Sequence, residues 1–77
     1  MSKSAHDPRY RQMCEILKGI REERSMSQMA LATKLKRAQT YVSKVERGER
    51  RIDVVEFLDL TRALGVDPFG ILRQLNR

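Results

Sequence analysis

The sequence predicts an all-α domain of five short helices. Three observations predict it: apolar residues recur every three or four positions, no segment reads as a strand, and residues that start and stop helices stand at the segment ends. At 77 residues the chain has room for one small, compact core. A chain of this size buries only about 60% of the surface its unfolded form exposes, which leaves little space for a deep catalytic pocket.

The elements follow in order. From Arg9 to Arg24, the residues Tyr10, Met13, Leu17 and Ile20 share one helical face, giving a first helix over 9–24 behind a mobile arm over residues 1–8. Ser27 then offers a hydroxyl to the free N–H groups of a second helix over 28–35, with Leu31, Ala32 and Leu35 facing inward. No Gly or Pro marks the break at 36–38, so that boundary rests on the pattern restarting with Val42 and Val45. Gly48 ends this third helix, over 39–47, in a left-handed conformation. Asp53 with Glu56 three residues on forms a capping-box signal for a fourth helix over 53–64, in which Val54, Phe57, Leu60, Thr61 and Leu64 share a face before Gly65 closes it. Asp67 and Pro68 start a fifth helix over 68–75, with Phe69, Leu72 and Leu75 available to pack.

Charge narrows the function. The chain carries a net charge of +6, and residues 34–51 hold seven basic side chains against two acidic ones. A positive charge confined to one segment of a folded domain suits a polyanion. The lone Cys14 has no partner for a disulfide, no metal-ligand spacing is present, and His6 falls in the arm. Glu15, Glu22 and Glu23 offer no catalytic pair, so neither an enzyme nor a cofactor or metal protein is expected. No apolar run reaches the length of a membrane span and the N-terminus lacks the apolar centre of a signal peptide; the expected setting is cytoplasmic, away from membranes.

Two short helices joined by a tight turn, the second poor in buried residues and rich in Gln, Thr, Ser and Lys, make the pattern of a helix-turn-helix. "LKGIREERSMSQMALATKL" followed by "QTYVSKVERGER" resembles the Cro and phage-repressor type, the xenobiotic-response-element (XRE) family. The resemblance covers about Tyr10 to Pro68 and is carried by Arg21, Ser27, Gln28, Leu31, Ala32, Tyr41, Ser43, Lys44, Glu46, Arg47 and Gly48. It implies a lambda-repressor-like DNA-binding domain over 9–77. Where members often have Gly, an aliphatic residue and Ser or Thr, this chain has Lys36, Arg37 and Ala38, so the turn loses its glycine, one core side chain and a helix cap. Extra phosphate contact from Lys36 and Arg37 is the expected compensation, and Arg37→Val is expected to raise the melting temperature while flattening salt dependence.

By the family's motif, Gln39, Thr40, Ser43 and Lys44 fall at base-reading positions. Gln39 suits adenine, Lys44 guanine and Thr40 a thymine methyl. Gln28 falls where the family binds a phosphate, with Lys36, Arg37, Arg47, Arg50 and Arg51 as further phosphate contacts. Tyr41 is read either as a phosphate contact or as a partly buried packing ring. The resemblance also implies a structural ion pair between Arg21 and Glu46.

One helix-turn-helix covers few base pairs, so a homodimer on a palindromic stretch of double-stranded DNA is expected. Val55, Leu58, Ile71 and Leu75, apolar beyond the needs of the core, are the candidate dimer interface. The implied function is a sequence-specific transcriptional regulator, a repressor or controller, acting by occupancy or by contact with RNA polymerase. Two alternatives remain open at this level: an antitoxin or adaptor module that binds protein, and a non-specific nucleic-acid binder.

Overall fold

The computed structural model describes residues 7–77, and among them the chain forms five helices and no strand. They are α1 (Pro8–Glu23), α2 (Gln28–Leu35), α3 (Gln39–Glu46), α4 (Val54–Leu64) and α5 (Pro68–Leu75). The Asp7 carboxylate accepts from the backbone N–H of Arg9 at 2.8 Å and Pro8 takes the first helical position, where its missing N–H costs nothing. Asp7 and Pro8 therefore belong to α1, which starts earlier than the spacing of apolar residues indicates. The remainder of the expected arm, with His6, lies outside the described residues.

Local chemistry sets the other boundaries. Ser27 Oγ accepts from Ala30 N–H at 3.0 Å, and Asp53 and Glu56 close a reciprocal capping box. Gly48 and Gly65 sit at φ +76° and +73°, which lets α3 and α4 end in left-handed turns without a Cβ penalty. The α2–α3 turn has no such relief. Lys36 takes φ +59° there, a conformation that costs a residue with a side chain about 1–2 kcal/mol. Ala38 stands at the N-cap of α3 with no side-chain hydrogen bond. The turn does close its backbone, with Arg37 N–H donating to Ala32 O at 2.9 Å and Lys36 N–H to Thr33 O at 3.1 Å.

The core draws on every helix: Met13, Cys14 and Leu17; Leu31 and Ala32; Val42 and Val45; Phe57, Leu60 and Leu64; and Ile71. α1 runs behind α3, α4 and α5, and α2 packs mainly on α3. Burial pushes the Cys14 thiol above its ordinary pKa, so it stays protonated and serves as a small core residue. The buried Thr61 hydroxyl donates to Leu58 O at 3.0 Å, which satisfies it without leaving its own helix.

Two helix faces differ from expectation. Ile71, expected in the dimer interface, is 2% exposed and lies in the core, whereas Phe69 and Leu72, expected inside, are 64% and 45% exposed. Val54, expected to share the buried face of α4, is the first residue of that helix and is 73% exposed. Leu75 is half-buried against the core, while Val55 and Leu58 are exposed. No helix among the described residues is long and apolar enough to cross a membrane.

Candidate nucleic-acid interface

α3 is anchored through Val42 and Val45, both buried, and the 3.6-residue repeat then turns Gln39, Thr40 and Lys44 to the outside. Ser43 and Tyr41 lie half-buried at the flanks. Polar bracing from α1 and α2 adds to this apolar anchoring.

That bracing begins at Arg21 on α1. Its Nε and Nη2 donate to Glu46 Oε2 and Oε1 at 2.6 and 3.1 Å, and its Nη1 donates to Met26 O at 2.7 Å. The two side chains are 9% and 5% exposed, so this is a buried two-point pair between α1 and the last turn of α3. The Glu46 hydrogen bond, more than the opposing effect of burial, raises the Arg21 pKa above its already high value.

Glu46 has a third partner, since Gln28 Nε2 donates to its Oε1 at 2.9 Å. An ionised carboxylate can only accept, which turns the NH2 group of Gln28 toward Glu46 and leaves Gln28 Oε1 facing the other way. There it accepts from Gln39 Nε2 at 3.2 Å. One chain of hydrogen bonds therefore runs from Arg21 through Glu46 and Gln28 to Gln39. The amide of Gln39 ends it with one N–H and its oxygen still available.

A second cluster forms around Glu56, in the first turn of α4. Its Oε2 lies 2.8 Å from Arg50 Nη2 and 3.4 Å from Arg37 Nη2, and its Oε1 accepts from Asp53 N–H at 3.0 Å. Both guanidinium carbons lie over the Tyr41 ring, at 4.3 Å for Arg37 and 5.2 Å for Arg50. Hydrogen bonding from Asp53, joined by the Arg50 charge, holds the Glu56 carboxyl below its ordinary range in spite of burial. Burial raises the pKa of the Tyr41 hydroxyl, and the nearby Glu56 charge adds to this. Tyr41 is thus both a packing ring and a platform for cations.

The remaining expected contacts vary in freedom. Arg47 reaches Glu49, at 3.1 Å, and its Nη1 also donates to the Ser43 hydroxyl, so both Arg47 and Ser43 are engaged within the protein. Lys36 and Arg51 are exposed. Gln28 is half-buried and bonded to Glu46 and Gln39, a more internal place than a surface phosphate contact implies. Sequence reasoning missed Glu56 as a meeting point of charges. Its capping-box role was visible locally, but Arg37 lies 19 residues away and no local signal joins the two.

Among the described residues no group of three or more His, Cys, Asp or Glu is placed to hold a metal ion. The family model for a helix-turn-helix domain matches residues 11–71. Among solved structures, an XRE-family like protein from Pseudomonas syringae pv. tomato is 40% identical, with 96% of this chain and 90% of that chain covered and a TM-score of 0.88. The restriction-modification controller protein C.Esp1396I, solved as a tetramer in complex with its natural 35 base-pair operator, is 26% identical over 90% of this chain and 91% of its own, with a TM-score of 0.80. The controller protein C.AhdI from Aeromonas hydrophila is 30% identical over 82% of this chain and 94% of its own, with a TM-score of 0.73. No curated protein matches the chain. With the family model spanning most of its length over a fold of this geometry, the chain belongs to the XRE-type helix-turn-helix family of DNA-binding transcriptional regulators, which act by binding and not by catalysis.

Proposed function

We propose that the protein binds a palindromic operator as a homodimer and controls transcription by occupying it. The observation that carries this reading is the Gln28–Gln39 amide pair, which presents a donor and an acceptor at the exposed start of α3. That is the complement of adenine N7 and N6 in the major groove. Thr40 and Lys44, one and five residues further along the exposed face, would meet a thymine methyl and guanine O6 or N7. Ser43, shared with Arg47, has less freedom to reach a base and joins the backbone-positioning set. Lys36, Arg37, Tyr41, Arg47, Arg50 and Arg51 supply that set, with Gln28 oriented by Glu46 behind it.

Dimerisation is supported by Val54, Val55, Leu58, Phe69 and Leu72, large apolar residues exposed on α4 and α5, where single scattered ones would need no explanation. The controller proteins that resemble this chain include one seen as a tetramer on its operator. An operator bound in this way regulates by blocking RNA polymerase or by touching it from an adjacent site. A protein-binding role for α3 has less support, since its only aromatic anchor, Tyr41, lies half-buried beneath two arginines.

The test is selection of bound duplexes from a random pool. A palindrome with half-sites about 10 base pairs apart, and adenine enriched within each half, is the expected result. Absence of any enriched sequence overturns the reading.

A further inference from the structure

We infer that Glu56, although negatively charged, is a positioning residue for DNA recognition: it fixes Arg37 and Arg50 over Tyr41 as one clamp for the phosphates that flank α3. The inference rests on the DNA-binding reading above and adds to it a residue that ordinary electrostatics would place against binding.

Three features carry it. The first is stoichiometry: one carboxylate serves two guanidiniums, so the cluster keeps a net positive charge, whereas the Arg47–Glu49 pair cancels its own. The second is layering. The Glu56 side chain is 13% exposed, and those of Arg37 and Arg50 are 43% and 42% exposed, so the carboxylate lies beneath and the cations face solvent. Glu56 accepts one hydrogen bond from Arg37 and two from Arg50, leaving N–H donors on each guanidinium for an incoming anion. The third is topology. Arg37 precedes α3, Tyr41 lies on it and Arg50 follows it, while Glu56 belongs to α4. Both ends of the reading helix are thereby tied to the body of the protein through a single side chain.

An arginine already held in place gives up less conformational freedom on gripping a phosphate, and it holds α3 in one register in the groove. Specific binding gains from both effects. Non-specific binding, which tolerates many arrangements of cations, gains only from charge.

The experiment compares Glu56→Gln with Asp59→Asn, an exposed carboxylate one turn further along α4. Gln at position 56 keeps an oxygen for the Asp53 N–H, but it loses the charge and puts an NH2 donor where Oε2 accepts from Arg37 and Arg50, and circular dichroism melting verifies that both variants are folded. The probes are the duplex enriched from the random pool and a scrambled duplex of equal length. Asp59→Asn is expected to tighten both slightly. Glu56→Gln is expected to weaken the enriched duplex about five- to tenfold, within the range of coupling between contacting residues, while leaving the scrambled duplex unchanged or tighter. In an Arg50→Ala background the Glu56→Gln effect should shrink, because one of the side chains it positions is gone. Tighter binding of both probes by Glu56→Gln, in parallel with Asp59→Asn, overturns the inference and makes Glu56 a simple repulsive charge. Failure of the wild-type protein to enrich any duplex instead overturns the underlying DNA reading.

Discussion

Arg21 and Glu46 lie 25 positions apart and meet in a two-point ion pair that is more than nine-tenths buried at both ends. Replacing Arg21 alone with Met leaves a buried carboxylate without its cation, which is expected to cost about 3–5 kcal/mol in urea unfolding. The double replacement Arg21→Met with Glu46→Leu should recover most of that loss, since an apolar pair of similar volume avoids the desolvation of two charges. Recovered stability should not restore sequence discrimination: without Glu46, Gln28 has no fixed orientation to impose on Gln39.

The turn between α2 and α3 is expected to be the easiest place to gain stability. Ala38→Ser supplies the absent N-cap and should add about 1 kcal/mol. Lys36→Gly relieves the left-handed backbone, and because glycine also loosens the unfolded chain its net gain should be about 1 kcal/mol. In a domain of this size each change corresponds to a rise of about 4–8 °C in melting temperature. A fall in melting temperature for either variant would contradict the geometry of the turn.

Arg37→Val should separate folding from binding. The cation over the Tyr41 ring and the 3.4 Å pair with Glu56 are each worth less than about 1 kcal/mol at a half-exposed site, and a valine gains only partial cover. Melting should therefore move little, contrary to the rise expected from the sequence, where the stacking on Tyr41 is invisible. The slope of log affinity against log salt should fall by about one.

Apolar residues on α4 and α5 should divide into two classes. Val55→Asp or Leu58→Asp is expected to leave the helical spectrum intact and shift sedimentation toward monomer, with loss of operator affinity. Ile71→Asp should unfold the chain, since it places a charge among fully buried side chains. Dimers that persist in both exposed variants would move the interface elsewhere.

Those classes also show what the sequence carries and where it falls short. Ser27, Asp53, Asp67, Pro68, Gly48 and Gly65 act within one turn of themselves, so the starts of α2, α4 and α5 and the ends of α3 and α4 could be read directly. α5 could not be oriented in the same way, because in eight residues Phe69 and Leu72 form one apolar stripe and Ile71 and Leu75 another. Only the packing against α1 and α4 chooses between them. At the interface, the outward residues of α3 followed from its pattern and family resemblance, whereas Glu56 and the link from Gln28 to Glu46 join residues far apart in the chain.

Acid should weaken the protein through Glu56. Its folded pKa lies below the ordinary value of 4.5, so its contribution to stability is complete above that pH and is lost as pH falls through the depressed value. Asp7, lowered to about 2 chiefly by its side-chain hydrogen bond with Arg9, keeps its charge at the start of α1 over most of that window. Melting temperature should therefore drop as pH falls below about 4.5, and the drop should be shallower in Glu56→Gln.

The division of labour within α3 has a consequence for how such a protein diversifies. Val42, Val45 and Glu46 secure the helix, while Thr40 and Lys44 touch nothing the fold requires. If they read bases as proposed, those two positions can drift freely and retarget the protein to new sites without passing through an unstable intermediate. Gln39 is different, because its amide is matched to Gln28, and an inherited change at one favours a second at the other. Lineages descended from this chain should show independent variation at 40 and 44 and paired variation at 28 and 39.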